Sequence, residues 1–347
     1  MTLVSGPIDF TLPESRTAAA PAERRGKARD GVRLMVAHRA SGAIEHHRFS
    51  DLPDLLQPGD VVVVNTSKTI PAAVDALSED RRRLVVHFAS AVSDDLWNLE
   101  VRAPTREGGT KPAPDIEPGT LTLPGGAAAQ LLARSTRSPR LWVAALKGTS
   151  DVLQYLEEHG RPIRYQGGPA WPIRDYQTIF AGEPGSAEMP SAGRPFTPDL
   201  VTRLVSKGVT VVPILLHTGV SSYEDDETPG EERYRVPAAT AIVVSRLRDA
   251  GGRVIAVGTT VVRALETVAR VDGSVHAGAG VTDLVVTREH GLRVTDALLT
   301  GWHEPRSTHL RLLETVAGRD LLQKSYDEAL AGDYLWHEFG DELLILP

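Results

Sequence analysis

Residues 298 to 310 read LLTGWHEPRSTHL, an apolar run followed by an imidazole, a Pro-Arg pair and two hydroxyls. His303 supplies a group that titrates near neutrality. Arg306 supplies a fork of donors that matches a carboxylate or phosphate. Ser307 and Thr308 stand where Pro305 predicts a helix to begin, and free backbone N–H groups at such a start suit an anion. Three other places set polar side chains at the end of an apolar run: Asn65 after GDVVVV, His217 after TVVPILL, and Gly258, Thr259 and Thr260 after VIAV. Arg263 and Glu266 follow three residues apart, a spacing that puts both on one helix face. Together these groups could bind an anionic or zwitterionic ligand and move protons on it.

For these residues to meet, the chain must build a sheet whose strands end on a common edge. GDVVVVNTS (59 to 67) has the pattern of a strand buried on both faces. From 74 to 148 the texture changes. RRRLVVHFA, DLWNLEVRA, GTLTLPG and RLWVAAL are short β-prone runs separated by Gly, Pro and charge, which predicts a small antiparallel barrel. Strands and helices then alternate. FTPDLVTRLVSKG predicts a helix capped by Thr197, with Pro198 first and Gly208 as its stop. VTVVPILLHTG reads as a strand, VPAATAIVVSRLRDAGG as a helix, GGRVIAVGTT as a strand and VVRALETVAR as a helix. LRVTDALLT is the next strand, EPRSTHLRLLETVAG a helix from Pro305 to Gly318, and DELLILP the last strand. The expectation is a mainly parallel, three-layer α/β domain of residues 1–73 and 149–347, interrupted by a β-barrel insert at 74–148. Open α/β sheets bind ligands just outside the carboxyl ends of their strands, which is where Asn65, His217, Thr259, Thr260 and His303 fall.

Composition narrows the chemistry. A chain of 347 residues exceeds one comfortable core. The absence of cysteine excludes disulfides, iron–sulfur clusters, thiolate zinc sites and a cysteine nucleophile. No apolar run reaches membrane-spanning length, and MTLVSGPIDFTLPES lacks a signal pattern, so a cytoplasmic protein is expected. A formal net charge of −7 gives no global pull on nucleic acid, and an RNA partner would need a local basic patch.

An ordered series of motifs resembles the S-adenosylmethionine:tRNA ribosyltransferase-isomerases of queuosine biosynthesis. It comprises PSAGRPFT (190 to 197), LLHTGVSSY (215 to 223), GTTVVRALE (258 to 266), VTDLVV (281 to 286), TDALLTGWHEPRST (295 to 308) and GDELLI (340 to 345). The likeness extends to IDFTLPE, PAERR and DLPDLLQPGDVVVVNTSKTIPA, so it spans nearly the whole chain. The resemblance implies an α/β domain interrupted by a barrel. It also implies transfer of the ribosyl part of S-adenosylmethionine to the aminomethyl group of a 7-deazaguanine in tRNA, giving epoxyqueuosine and releasing adenine and methionine. S-adenosylmethionine would be a co-substrate, with no metal or redox cofactor. Such chemistry needs a base beside the sulfonium, an acid for departing adenine and a clamp on the methionine carboxylate. His303 and His217 are candidates for proton transfer, Glu266 or Asp341 for a carboxylate partner, and Arg263 or Arg306 for the clamp. Asn65, Lys68, Gly193, Phe196, Thr259, Thr260, Ser307 and Thr308 are expected around the substrate.

The departures from the family pattern cluster at the ligand-facing motifs. Where the family reads NDTRV, this chain has Asn65-Thr66-Ser67-Lys68-Thr69, and lysine cannot supply a bidentate fork. Pro195 replaces the histidine of APTAGLHFT, HVGAGTF becomes HTGVSSY, and the loop after it is contracted around 224 to 235. NFHLPRST becomes GWHEPRST, and the FFSYGDAM-like ending becomes WHEFGDEL. This distribution supports a second reading, the same chemistry on a small-molecule acceptor, beside the tRNA reaction. A third is a non-catalytic RNA- or nucleoside-binding relative. Each nominated residue also has a structural alternative: strand-end histidines as hydrogen-bonding braces, Arg263 and Glu266 as a helix-surface pair, and Ser307 and Thr308 as satisfiers of the first turn. Arg81-Arg82-Arg83 reads as a solvated barrel edge.

Overall fold

The computed structural model describes residues 8–136, 138–165, 168–220 and 230–347. Its spine is a nine-stranded mixed sheet. Four strands form a parallel centre, in the order Thr210–Leu216, Val61–Asn65, Val254–Val257 and Ala297–Gly301. On one side Glu232–Val236 and Gly278–Thr282 add in antiparallel fashion. On the other, Glu342–Leu346 runs antiparallel to Ala297–Gly301, with Gly301 opposite Glu342, and then pairs in parallel with Arg33–His38. Ile44–Arg48 closes that edge. Consecutive β-branched residues favour the extended pleat, and the valines from Val61 to Val64 are all buried. Side chains alternate across a strand. Val61 and Val63 therefore enter one core, and Val62 and Val64 the core on the opposite face.

The first core is covered by the helices Ala238–Asp249, Thr259–Val268, Thr308–Ala317 and Arg319–Ala331. The second lies under Pro198–Ser206, whose Leu200 and Leu204 point into it. Three layers result, as the alternation of elements predicts. Thr197 caps that last helix by accepting from the Leu200 N–H at 3.2 Å, and Gly318 ends Thr308–Ala317. Among the described residues, no helix is long and apolar enough to cross a membrane.

The barrel is a closed ring of Ala73–Leu77, Arg83–Ala91, Leu96–Pro104, Leu141–Lys147, Ala128–Arg134 and Gly119–Thr122. Closure comes from Leu96–Pro104 pairing with Leu141–Lys147, which removes both sheet edges. Its core holds Phe88, Trp97, Leu99 and Trp142, and extends to Ile70 before the ring and to Val152, Leu156 and Ile163 after it.

Two elements differ from the sequence-based expectation. The helix expected to open at Pro305 begins at Thr308, because Arg306 adopts φ 59°, a left-handed conformation that cannot start a right-handed helix. The strand expected over LRVTDALLT is confined to Ala297–Gly301. The backbone N–H groups of Arg293, Val294 and Thr295 donate instead to the Glu266 carboxylate, at 2.9, 3.2 and 3.0 Å.

Candidate active site

Asn65 ends its strand fully engaged. Its Nδ2 donates to the Leu216 carbonyl (2.8 Å) and to Thr260 Oγ1 (3.3 Å), while Oδ1 accepts from the N–H groups of Ser67 (3.1 Å) and Leu216 (3.0 Å). It thereby stitches two strand ends to the start of the helix Thr259–Val268. His217, the next residue along that edge, places Nδ1 2.7 Å from Ser67 Oγ, which in turn lies 2.6 Å from Ser186 Oγ. The His217 ring lies against the bare backbone of Gly185, where a Cβ would come within 2.6 Å of it. Burial lowers the His217 pKa; Glu183, 3.8 Å from Nε2, opposes this, and Arg233 and Arg235 reinforce it. The imidazole is therefore neutral at physiological pH.

The helix Thr259–Val268 leaves the sheet through Gly258, whose φ of 92° and ψ of 156° are accessible essentially to glycine alone. Thr259 and Thr260 begin the helix and are buried at the edge. Arg263 is spent inside the protein. Its guanidinium pairs with Glu232 and donates to the carbonyls of Leu284 (3.0 Å), Gly230 (3.3 Å) and Thr282 (3.5 Å). Glu232 also accepts from the Gly219 N–H at 3.0 Å, so this pair ties the segments after two strands to the helix. Glu266 points the other way, to the start of the strand Ala297–Gly301. The two residues that the spacing put on one face serve opposite ends of the sheet.

His303 occupies the end of Ala297–Gly301. Its Nε2 lies 3.0 Å from Thr300 Oγ1, and its backbone N–H donates to the Tyr326 hydroxyl at 3.2 Å. Its carbonyl accepts from Trp336 Nε1 at 3.1 Å. His309, from the first turn of Thr308–Ala317, stacks on it with centroids 4.5 Å apart and planes 6° from parallel. Burial holds the His303 pKa well below the usual histidine value, with the neighbouring His309 adding to the effect. Burial, helped by the charge of Arg263, lowers His309 to about 4. Two neutral imidazoles thus form one face of the edge. Four strands separate His217 from His303 inclusive, a span of about 14 Å at ordinary strand spacing. Beside the histidines, the exposed Arg306 makes a long contact with Asp9 (3.7 Å). Ser307 is the N-cap residue of the helix, yet its Oγ is buried and forms no hydrogen bond among the described residues.

The remaining nominated residues are placed as follows. Lys68 lies in the short strand Ser67–Thr69, 3.6 Å from Glu157. Gly193 packs on Thr178, and a Cβ there would meet Thr178 Cγ2 at 3.3 Å. Phe196 is fully buried between the rings of Phe49 and Phe180, in a core that also holds Val64 and Val257, and Pro195 beside it is buried too. Asp341 accepts from the N–H groups of Arg33 (2.8 Å) and Leu335 (2.9 Å), which makes it a brace between chain segments. Thr308 is the first residue of its helix. Residues 224–229 of the contracted loop lie outside the described residues, and the loop's end forms the strand Glu232–Val236.

Sequence reasoning missed His309, Glu232, Ser67, Ser186 and Glu342. Glu342 is the least expected: it is buried opposite Gly301, its Oε2 has no hydrogen-bond partner among the described residues, and burial, reinforced by Asp341, raises its pKa well above the carboxylate range. A side chain on Gly301 would come within 3.9 Å of both that oxygen and Ser191 Oγ. Only the register and the fold around Ser191–Gly193 bring these groups together; the sequence itself carries no such signal.

A mixed α/β sheet joined to a closed antiparallel barrel, with paired imidazoles at its strand ends, defines a class: α/β proteins that carry a closed six-stranded barrel beside the sheet. Residues 7–345 match the family described as queuosine biosynthesis protein. S-adenosylmethionine:tRNA ribosyltransferase-isomerases of Desulfitobacterium hafniense and Thermotoga maritima are 36% and 34% identical, each alignment covering 98% of both chains. The crystal structure of an S-adenosylmethionine tRNA ribosyltransferase from Thermotoga maritima superposes with a TM-score of 0.56 at 30% identity, over 98% of this chain and 99% of that one. The chain belongs to the queuosine biosynthesis protein family.

Proposed function

We propose that this protein transfers and isomerises the ribosyl moiety of S-adenosylmethionine onto 7-aminomethyl-7-deazaguanine in tRNA, giving epoxyqueuosine and releasing adenine and methionine. The observation that carries this reading is the family match, which runs from residue 7 to residue 345 without leaving either domain out. The site's chemistry supports it. A base that removes a proton beside a sulfonium must be unprotonated beforehand, and burial disfavours the protonated form of His303. Stacked against His309, its ring is fixed in one plane, which limits the orientations a proton transfer must select among. The N-terminus of Thr308–Ala317, with the unbonded Ser307 hydroxyl and Arg306 beside it, offers donors to the methionine carboxylate. Arg263, Glu266 and Asp341 act as positioning residues through the bonds described above, and Asn65 and His217 fix the adjoining edge.

The test is product analysis by mass spectrometry after incubation with S-adenosylmethionine, with and without tRNA bearing the aminomethyl-deazaguanine. Adenine and methionine formed only with that tRNA, together with a mass gain on its base, is the expected result. Release of adenine and methionine only when a small amine or nucleoside replaces the tRNA would move the acceptor to the small-molecule class. If neither product forms under any condition, a non-catalytic binding role replaces the enzymatic one.

A further inference from the structure

Beyond His303 the chain turns through Glu304, whose carboxylate lies 3.1 Å from His337 Nε2. His337 and Glu338 form one wall of a recess that Ile163 and Arg164 also line. Its other walls include four aromatic rings, those of Tyr165, Trp171, Tyr176 and Phe339. These rings are held in place. Trp171 Nε1 donates to the Ala19 carbonyl at 3.0 Å, Tyr165 donates to Glu188 at 2.5 Å, and Tyr176 packs on Phe339 with centroids 5.1 Å apart. The Glu338 carboxyl, by contrast, has neither a hydrogen bond nor an ion pair among the described residues, although it lines the recess. The charged groups whose fields reach it are His337, Glu188 and Arg194. Aromatic walls around a carboxyl with unused acceptor capacity suit a flat heterocycle with adjacent N–H donors.

We propose that this recess receives the 7-aminomethyl-7-deazaguanine base of the acceptor nucleotide, with Glu338 reading its N–H edge and the aromatic walls stacking on its faces. The inference rests on the proposed function and assigns the acceptor's place within it. A guanine-type edge presents ring N–H and exocyclic NH2 donors side by side, which two carboxylate oxygens accept at once. An enzyme that acts on a base within RNA takes it out of the stack, and a recess of this kind is where such a base goes. Adenine offers one donor beside one acceptor, so it fits the same walls less well. Burial raises the Glu338 pKa to about 7, with Glu188 acting in the same sense and His337 and Arg194 opposing it; a donor pair would draw it into the charged form.

The test uses the full-length protein and free 7-aminomethyl-7-deazaguanine as probe, followed by calorimetry and by quenching of tryptophan fluorescence. The wild type should bind the base. Glu338→Gln and Trp171→Ala should each weaken binding about tenfold or more, with the affinity for S-adenosylmethionine within about twofold of wild type. With tRNA as substrate, E338Q should raise KM by a similar factor. Should free base bind below detection, this KM decides. An unchanged KM for tRNA in E338Q overturns the assignment, and so does displacement of the base from the recess by adenine at equal concentration. Failure of the wild type to turn over any tRNA would instead sink the reaction itself, which separates the two conclusions.

Discussion

His303 sits between a hydroxyl, a phenol and a second imidazole, and that company decides its charge. Because burial depresses its pKa, the imidazole stays in the base form below the pH at which an exposed histidine would protonate. The acidic limb of kcat/KM should therefore fall below pH 6.5, and His303→Asn should abolish turnover with little change in Tm. A limb centred at or above 6.5 in the wild-type pH profile would remove His303 from the role of base. Glu342 shows the opposite shift. Its folded-state pKa lies above the unfolded value, so its contribution to stability is complete below about pH 4.3 and is lost as pH rises through the folded value. Glu342→Gln keeps the shape and stays neutral. Thermal melts should show the variant equal to wild type near pH 4 and more stable at pH 8; equal Tm values at both would mean that the carboxyl is solvated. The types and edge positions of His303 and His217 were legible in the sequence because apolar runs end where strands end. The partners of Arg263 and Asp341 and the surroundings of Glu342 were not, since each contact joins segments that only tertiary folding brings together.

At the scale of elements, signals of local origin survived folding. The Thr197 cap, the Gly318 stop and the buried valine strand depend on a residue and its near neighbours, and each stands where the sequence puts it. The helix start at Pro305 did not, because the chain around it is held by distant contacts: the Arg306 N–H donates to the carbonyl of Ile8 at 3.2 Å. Gly258 exposes the same dependence from the other side. It connects strand to helix in a conformation that L side chains rarely adopt, so Gly258→Ala should cost about 1–3 kcal/mol of folding stability. Thr259 and Thr260 would shift with it, and kcat/KM should drop by more than the fraction unfolded explains. Urea titration beside a kinetic assay checks both, and a variant as stable as wild type would mean that the turn relaxes without strain.

For the whole molecule, the question is how the barrel is tied to the sheet that carries the site. The change of texture at 74 and 148 marks where the barrel strands begin and end, which periodicity can show. It cannot show which core the next helix joins. Val152–His159 packs Val152, Tyr155 and Leu156 into the barrel core, and Ile163 follows them. Ala73 and Arg161 then exchange backbone hydrogen bonds at 2.9 Å in each direction, so the chain leaves the barrel beside the point where it entered. Excising 74–148 alone would leave those apolar side chains without cover, at a cost of roughly 1.5–3 kcal/mol for each large one exposed. Excising 74–160 and joining Ala73 to Arg161 through a short glycine linker removes that helix together with its core. The shorter excision should yield an aggregating protein that binds a hydrophobic dye. The longer should yield a soluble α/β domain with a cooperative melt but no recess for the acceptor base, because Ile163, Arg164 and Tyr165 lose the barrel that supports them. If the 74–148 deletion melts cooperatively while the 74–160 deletion does not, the helix belongs to the α/β domain, and the barrel is an insert with the limits that its strands define.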